Sequence, residues 1–153
     1  MPIWMAVILR RSLLMKSFLL SLAILATTLV PTAVADTCCK KATCKICVYE
    51  TEVIRLCNVE RERRGIKPLK RAHELITACR KHSAVQKAKR SMHHGSLRGC
   101  SAENVACGQE TEKDVVRAWM NSSGHRANIL NRAWKFIGYG RSACGRYHTQ
   151  QFK

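Results

Sequence analysis

The stretch Trp119-Met120-Asn121-Ser122-Ser123-Gly124-His125-Arg126-Ala127-Asn128-Ile129-Leu130 places an aromatic anchor, a histidine and a run of small polar residues within twelve positions. It continues a helix predicted to start near Thr111, where Thr111-x-x-Asp114 approximates a capping box and Val115, Val116, Trp119 and Met120 follow at helical spacing. Downstream, Phe136-Ile-Gly-Tyr-Gly140 and Tyr147-His-Thr-Gln-Gln-Phe152 read as two strands joined by a Gly- and polar-rich hairpin loop. Upstream, Ile46, Tyr49, Val53 and Leu56/Cys57 make one apolar helical stripe, which Gly65 ends, and Pro68 helps set the start of the next helix. That second helix is expected from about Leu69 to Arg90, with Ala72, Leu75/Ile76, Cys79 and Val85 on one side. There is no internal repeat and no low-complexity linker. The pattern is helix and sheet mixed within one domain.

The N-terminal segment bears on the compartment. Met15-Lys16-Ser17 precedes an apolar run from Phe18 to Val30, followed by Pro31 and Ala33-Val34-Ala35. A charged start, a short apolar segment and an Ala-x-Ala site predict a secretory signal cut after Ala35, with the product outside the cell. The run of thirteen residues is short of the about 20 that a membrane span needs. Starts at Met1 and at Met15 both fit, since Arg10-Arg11 only lengthens the positive flank. The expected division is signal 1–35, a Cys- and Lys-rich leader 36–46, and a folded domain 47–153. The remaining 118 residues suffice for one small core but not two.

Of 27 basic residues, 24 lie after the cleavage site with all 10 acidic ones, a net charge of +14. Such a field favours anionic membrane headgroups or cell-wall polyanions. The basic residues spread over 61–90 and 126–146 without aromatic interleaving, and export adds to the case against nucleic acid as the main partner. All nine cysteines also follow the cleavage site, which predicts a disulfide framework with one thiol left over. Cys38-Cys39 with Cys44-x-x-Cys47 offers a zinc knot as the competing arrangement.

Five motifs in order carry a family resemblance over roughly 57–152. They are Asn58-x-x-Arg61-x-x-x-Gly65-x-x-Pro68-Leu69, Glu103-Asn104-Val105-Ala106-x-Gly108, the 119–130 stretch, Ile137-Gly138-Tyr139-Gly140 and Tyr147-x-Thr149-Gln150-x-Phe152. Together they resemble the CAP domain (cysteine-rich secretory proteins, antigen 5 and pathogenesis-related proteins; SCP domain) in its bacterial and fungal branch. The resemblance implies an α+β fold, a three-layer α-β-α sandwich with a small, mainly antiparallel sheet. It also implies a polar cavity formed by His94, Glu103 and His125, with Asn104, Trp119, Ser122 and Asn128 as motif residues. Counting along the helix from His82 selects His94, whereas a His-x-Gly reading selects His93. Ser122 stands at the position of the family's fourth, acidic residue, which other members of this branch likewise lack, so the resemblance implies a triad. Only eight residues separate His94 from Glu103, where the family usually has a longer loop, and Cys100 and Cys107 are expected to brace that short segment.

Two neutral imidazoles and a carboxylate suit a divalent zinc with an open water position, His94 and His125 being the expected metal ligands. Without metal, Glu103 and a histidine make an acid–base pair, or simply a hydrogen-bonded cluster. No serine or cysteine nucleophile is marked by a recognisable motif. The resemblance implies binding of a sterol, a fatty acid or a lipid surface, in host–microbe or defence contexts. The alternatives are a zinc-dependent hydrolase and a basic protein acting on microbial surfaces through charge.

Overall fold

The computed structural model describes residues 45–153, with side chains from Val48 onward. The expected signal and most of the leader, with Cys38, Cys39, Cys44 and the side chain of Cys47, lie outside the described residues. Helix α1 (Lys45–Glu62) buries Tyr49, Val53 and Cys57 of the stripe read from the sequence, and Ile54 besides, while Leu56 is half-buried. Gly65, at φ +62°, turns the chain out of it, a left-handed value that glycine adopts without steric cost. Asn58 then clasps Leu69, its Oδ1 accepting from the Leu69 N–H at 2.8 Å and its Nδ2 donating to the Leu69 carbonyl at 3.0 Å.

That clasp holds the chain extended, so Lys70–Arg71 forms a short strand, β1, and helix α2 spans His73–Lys89 rather than starting at Leu69. Val85, expected on the inner side of α2, is exposed. Ser83 and Gln86 take the inward positions instead: the Ser83 hydroxyl donates to the Gly140 carbonyl and Gln86 Nε2 to the Thr149 hydroxyl. The remaining described elements are β2 (Ala102–Cys107), α3 (Glu112–Asn121), α4 (Ser123–Leu130), β3 (Phe136–Arg141) and β4 (Tyr147–Phe152). Thr111 caps α3 as expected, its hydroxyl accepting from the Asp114 N–H at 3.2 Å. The 119–130 stretch is two helices, because Ser122 adopts an extended backbone that ends α3 and begins α4.

The sheet runs β1-β3-β4-β2, with β1 parallel to β3 and the other pairs antiparallel. Alternation sends Ile137, Tyr139, Phe152 and, level with them, Ala102 and Ala106 to one face. There α1, α3 and α4 cover them with Val53, Val115, Trp119 and Ile129 to make the main core. On the opposite face are Gly138 and Gly140, where a Cβ would overlap Leu75 and Ile76 or the backbone of Arg80. Helix α2 therefore lies directly on the sheet. Helices on both faces of a small, mainly antiparallel sheet give the expected α+β, α-β-α arrangement.

The expected disulfide staples are not found among the described residues: Cys57, Cys79, Cys100, Cys107 and Cys144 are free. Cys57 and Cys79 are wholly buried and serve as small core residues. Cys100 and Cys107 cannot brace the segment around Glu103 by bonding to each other. Strand β2, which ends in Cys107, rises about 3.4 Å per residue, roughly 17 Å from Ala102 to Cys107, and Cys100, only two residues before Ala102, cannot come back within the about 7 Å between Cα atoms that a disulfide spans.

Candidate functional site

Glu103 is the hub. It sits on β2, its side chain turned to the α2 face of the sheet and almost fully buried. Gln151, opposite it in the β2–β4 register, donates Nε2 to Glu103 Oε2 at 2.9 Å. The loop that follows α2 supplies the rest: the Gly95 N–H donates to Oε1 at 2.8 Å and His94 Nδ1 lies 3.1 Å from the same oxygen. A carboxylate only accepts, so His94 donates through Nδ1. Its side chain is 60% exposed.

His94, not His93, is thus the histidine that meets Glu103. His93 Nδ1 instead lies 3.0 Å from the Ser91 carbonyl, and its ring meets His82 edge-on at a centroid distance of 5.2 Å. His82 is the member that sequence reasoning missed. Its Nε2 donates to the His93 carbonyl at 2.8 Å and lies 4.0 Å from Glu103 Oε1. A Cβ on Gly95 would stand 2.9 Å from the His82 ring, so the glycine after the histidine pair lets the loop close over that ring. His82 marked the count along the helix, and its inward position was a usable signal.

His125 stands half-buried on α4. Burial, and secondarily the nearby His94, hold its pKa below the usual histidine value, which keeps it neutral at neutral pH. Its backbone carbonyl accepts from Asn104 Nδ2 at 3.2 Å. Asn104 also donates to Gln150 Oε1 at 3.0 Å and accepts from Asn128 Nδ2 at 2.9 Å. Asn128 and Trp119 then serve β2, which is an edge strand: Asn128 Nδ2 donates to the Glu103 carbonyl at 3.4 Å, and Trp119 Nε1 to the Val105 carbonyl at 3.2 Å. Side chains of the 119–130 stretch therefore occupy carbonyls that an edge strand would otherwise leave open. Ser122 contributes no side-chain cap and acts through the backbone break between α3 and α4.

The fit to zinc is poor. Both Glu103 oxygens already accept hydrogen bonds, which leaves His94 and His125 as ligands, one short of the three protein ligands of a catalytic zinc. Among the described residues no group of three or more His, Cys, Asp or Glu side chains could hold a metal ion. As an acid–base device, Glu103 orients His94, but among the described residues no hydroxyl or thiol is hydrogen-bonded to either histidine's ring.

A second feature lies on the other side of the sheet and was invisible as a site in the sequence. Between α1, α3 and α4 is a cleft of about 670 Å³. Its apolar walls are Leu56, Val59, Val116, Met120 and Leu130. Its rim carries Arg63, Arg64, Lys113, Arg117 and Arg126 against one carboxylate, Glu60. Glu60 holds Arg63 at 2.9 Å and Arg64 at 2.7 Å, and Asp114 holds Arg117 at 2.6 Å. Three of the five cations are thereby held at the opening, and the balance stays positive.

The family model for CAP, the cysteine-rich secretory protein family, matches residues 54–152. The uncharacterised protein YkwD of Bacillus subtilis strain 168 is 37% identical over 126 residues, covering 72% of this chain and 49% of that protein. An extracellular SCP-domain protein from Bacillus anthracis strain Ames has a similar structure, with a TM-score of 0.64 at 24% identity over 69% of this chain and 40% of that one. An outer surface protein of Borrelia burgdorferi gives a TM-score of 0.57 at 18% identity, over 67% and 89% of the two chains. The chain spans about half the length of the curated relative it matches. The structural likenesses, at these identities, speak for the fold.

Proposed function

This chain belongs to the CAP family of cysteine-rich secretory proteins, and from that premise we propose that it is an exported, non-enzymatic protein that binds a lipid in the cleft between α1, α3 and α4. The cleft carries the reading: apolar walls with a basic rim suit an apolar tail ending in an acidic head. A fatty acid fits that chemistry better than a sterol, because its carboxylate matches the net positive rim. Export accords with the signal-like N-terminus and with relatives described as extracellular and as an outer surface protein. In this reading the His94–Glu103–His125 group ties a loop, a strand and a helix together and is not a reaction centre.

The test is chemical. Protein recovered from the culture medium is extracted, and the extract is examined by mass spectrometry for lipid and by elemental analysis for zinc. A bound fatty acid without stoichiometric zinc supports the proposal. One observation favours a zinc-dependent hydrolase as the second reading: His94 lies close enough to His125 to help hold its pKa down. Chelator-sensitive turnover of an ester or peptide, lost in His125→Ala, would put that reading in its place.

A further inference from the structure

Between Glu74 and Glu103 lie 28 residues, 75–102, without a single Asp or Glu but with six Lys or Arg. Arg80 is engaged with the buried Glu50, Nε to Oε1 at 2.8 Å. The other five, Lys81, Lys87, Lys89, Arg90 and Arg98, are exposed. The same segment holds three of the five large apolar side chains that stand exposed among the described residues: Val85 at 42%, Met92 at 52% and Leu97 at 50%. All of this lies on α2 and the loop after it, on the face of the sheet opposite the lipid cleft.

The loop is held in place. Arg90 ends α2 in a left-handed conformation (φ 50°), and the Ser91 N–H returns to the Gln86 carbonyl at 3.1 Å. His93, His94 and Gly95 are then tied down to His82 and Glu103, with His93 held through its carbonyl. Met92 and Leu97, on either side of this anchor, remain in solvent. Single exposed apolar residues are ordinary, but three within residues 85–97, bordered by basic side chains, mark a contact surface.

We propose that the C-terminal end of α2 and the loop 91–100 form a membrane-contact surface for bilayers with anionic headgroups. Met92 and Leu97 insert among the headgroups, and the five exposed basic residues contact the phosphates. Each Lys or Arg near an anionic leaflet strengthens attachment roughly five-fold. A soluble polyanion would use the charges but has no partner for Val85, Met92 and Leu97, which is why a bilayer fits better. The His94–Glu103 pair then acquires a role that needs no catalysis, since it fixes the loop that presents the two apolar side chains. This surface does not depend on the cleft being occupied.

The experiment is sedimentation of the secreted protein with phosphatidylcholine vesicles, with and without phosphatidylglycerol. Wild type pellets only with phosphatidylglycerol, and less as salt is raised. Met92→Ser/Leu97→Ser weakens pelleting at least ten-fold, whereas Val48→Ser, an exposed apolar residue on α1, leaves it unchanged. In Leu97→Trp, indole emission shifts to the blue on vesicle addition and is quenched by brominated lipid. Met120→Glu, in the cleft, leaves sedimentation unchanged, so failure of the cleft reading and failure of this one are distinguishable. Wild-type pelleting by the double Ser variant, or an indole in Leu97→Trp that brominated lipid leaves unquenched, overturns the proposal. So does a blue shift without vesicles that tracks a protein dimer in analytical ultracentrifugation.

Discussion

His148 is wholly buried between Tyr139, whose hydroxyl donates to Nδ1 at 2.7 Å, and the Gln109 carbonyl, which accepts from Nε2 at 3.0 Å. Burial pushes its pKa down to about 4, against about 6.5 for a free histidine. Between these values the unfolded chain binds the proton and the folded one does not, so stability falls as pH drops from about 6.5 to about 4 and then levels off. The loss at this one group is about 3 kcal/mol. Urea unfolding across that range should show it, and His148→Gln should shrink the slope; an unchanged slope in the variant would assign the acid sensitivity elsewhere. Cysteine reactivity divides on the same principle. Cys57 is buried and its thiol is pushed up to about 12, whereas the exposed Cys144 is held below the usual thiol value, chiefly by the Ser142 hydroxyl 3.2 Å away. Native alkylation should label Cys144 first, and Cys57 and Cys79 only on unfolding. Failure of Cys144 to label under native conditions would show that it is already paired.

At the scale of elements, strand β2 depends on its borrowed partners. Trp119→Phe keeps most of the volume but leaves the Val105 carbonyl unbonded, an expected loss of about 1–2 kcal/mol. Amide exchange should quicken in Ala102–Cys107 before it does in β3. Gly138→Ala is more severe, because a Cβ there would overlap the backbone of α2 at Leu75 and Ile76; a loss of about 3 kcal/mol is expected from overpacking, read from denaturant midpoints. Uniform exchange in the first variant, or a mild effect in the second, would contradict the geometry. These features also mark what the sequence could disclose. The α1 stripe, the Thr111 cap and the β3–β4 hairpin follow from local periodicity and turn chemistry, and they appear where expected. Strand β2 is buried along most of its length and has no alternation to read. The late start of α2 is imposed by Asn58, eleven residues before Leu69, which no local pattern reports.

At the scale of the molecule, the sheet separates two surfaces. On one side α1, α3 and α4 frame a basic-rimmed apolar cleft; on the other α2 carries the acid-free segment. Among the described residues no helix is long and apolar enough to cross a membrane. His94, Glu103 and His125 could be named from the chain only through the family resemblance, which carries them over by position. The cleft could not, since it exists only where three helices meet and each contributes residues that read as ordinary helix faces. The lipid-binding proposal therefore rests on something the sequence alone does not show, and the measurement that tests it most directly is titration of a fluorescent fatty acid. Wild-type protein should take it up saturably, and Met120→Glu, which sets a negative charge on the apolar wall, should weaken uptake at least ten-fold with its unfolding midpoint near that of wild type. His125→Ala should bind as tightly as wild type. Non-saturable uptake, or uptake unchanged by Met120→Glu and lost in His125→Ala, would contradict it.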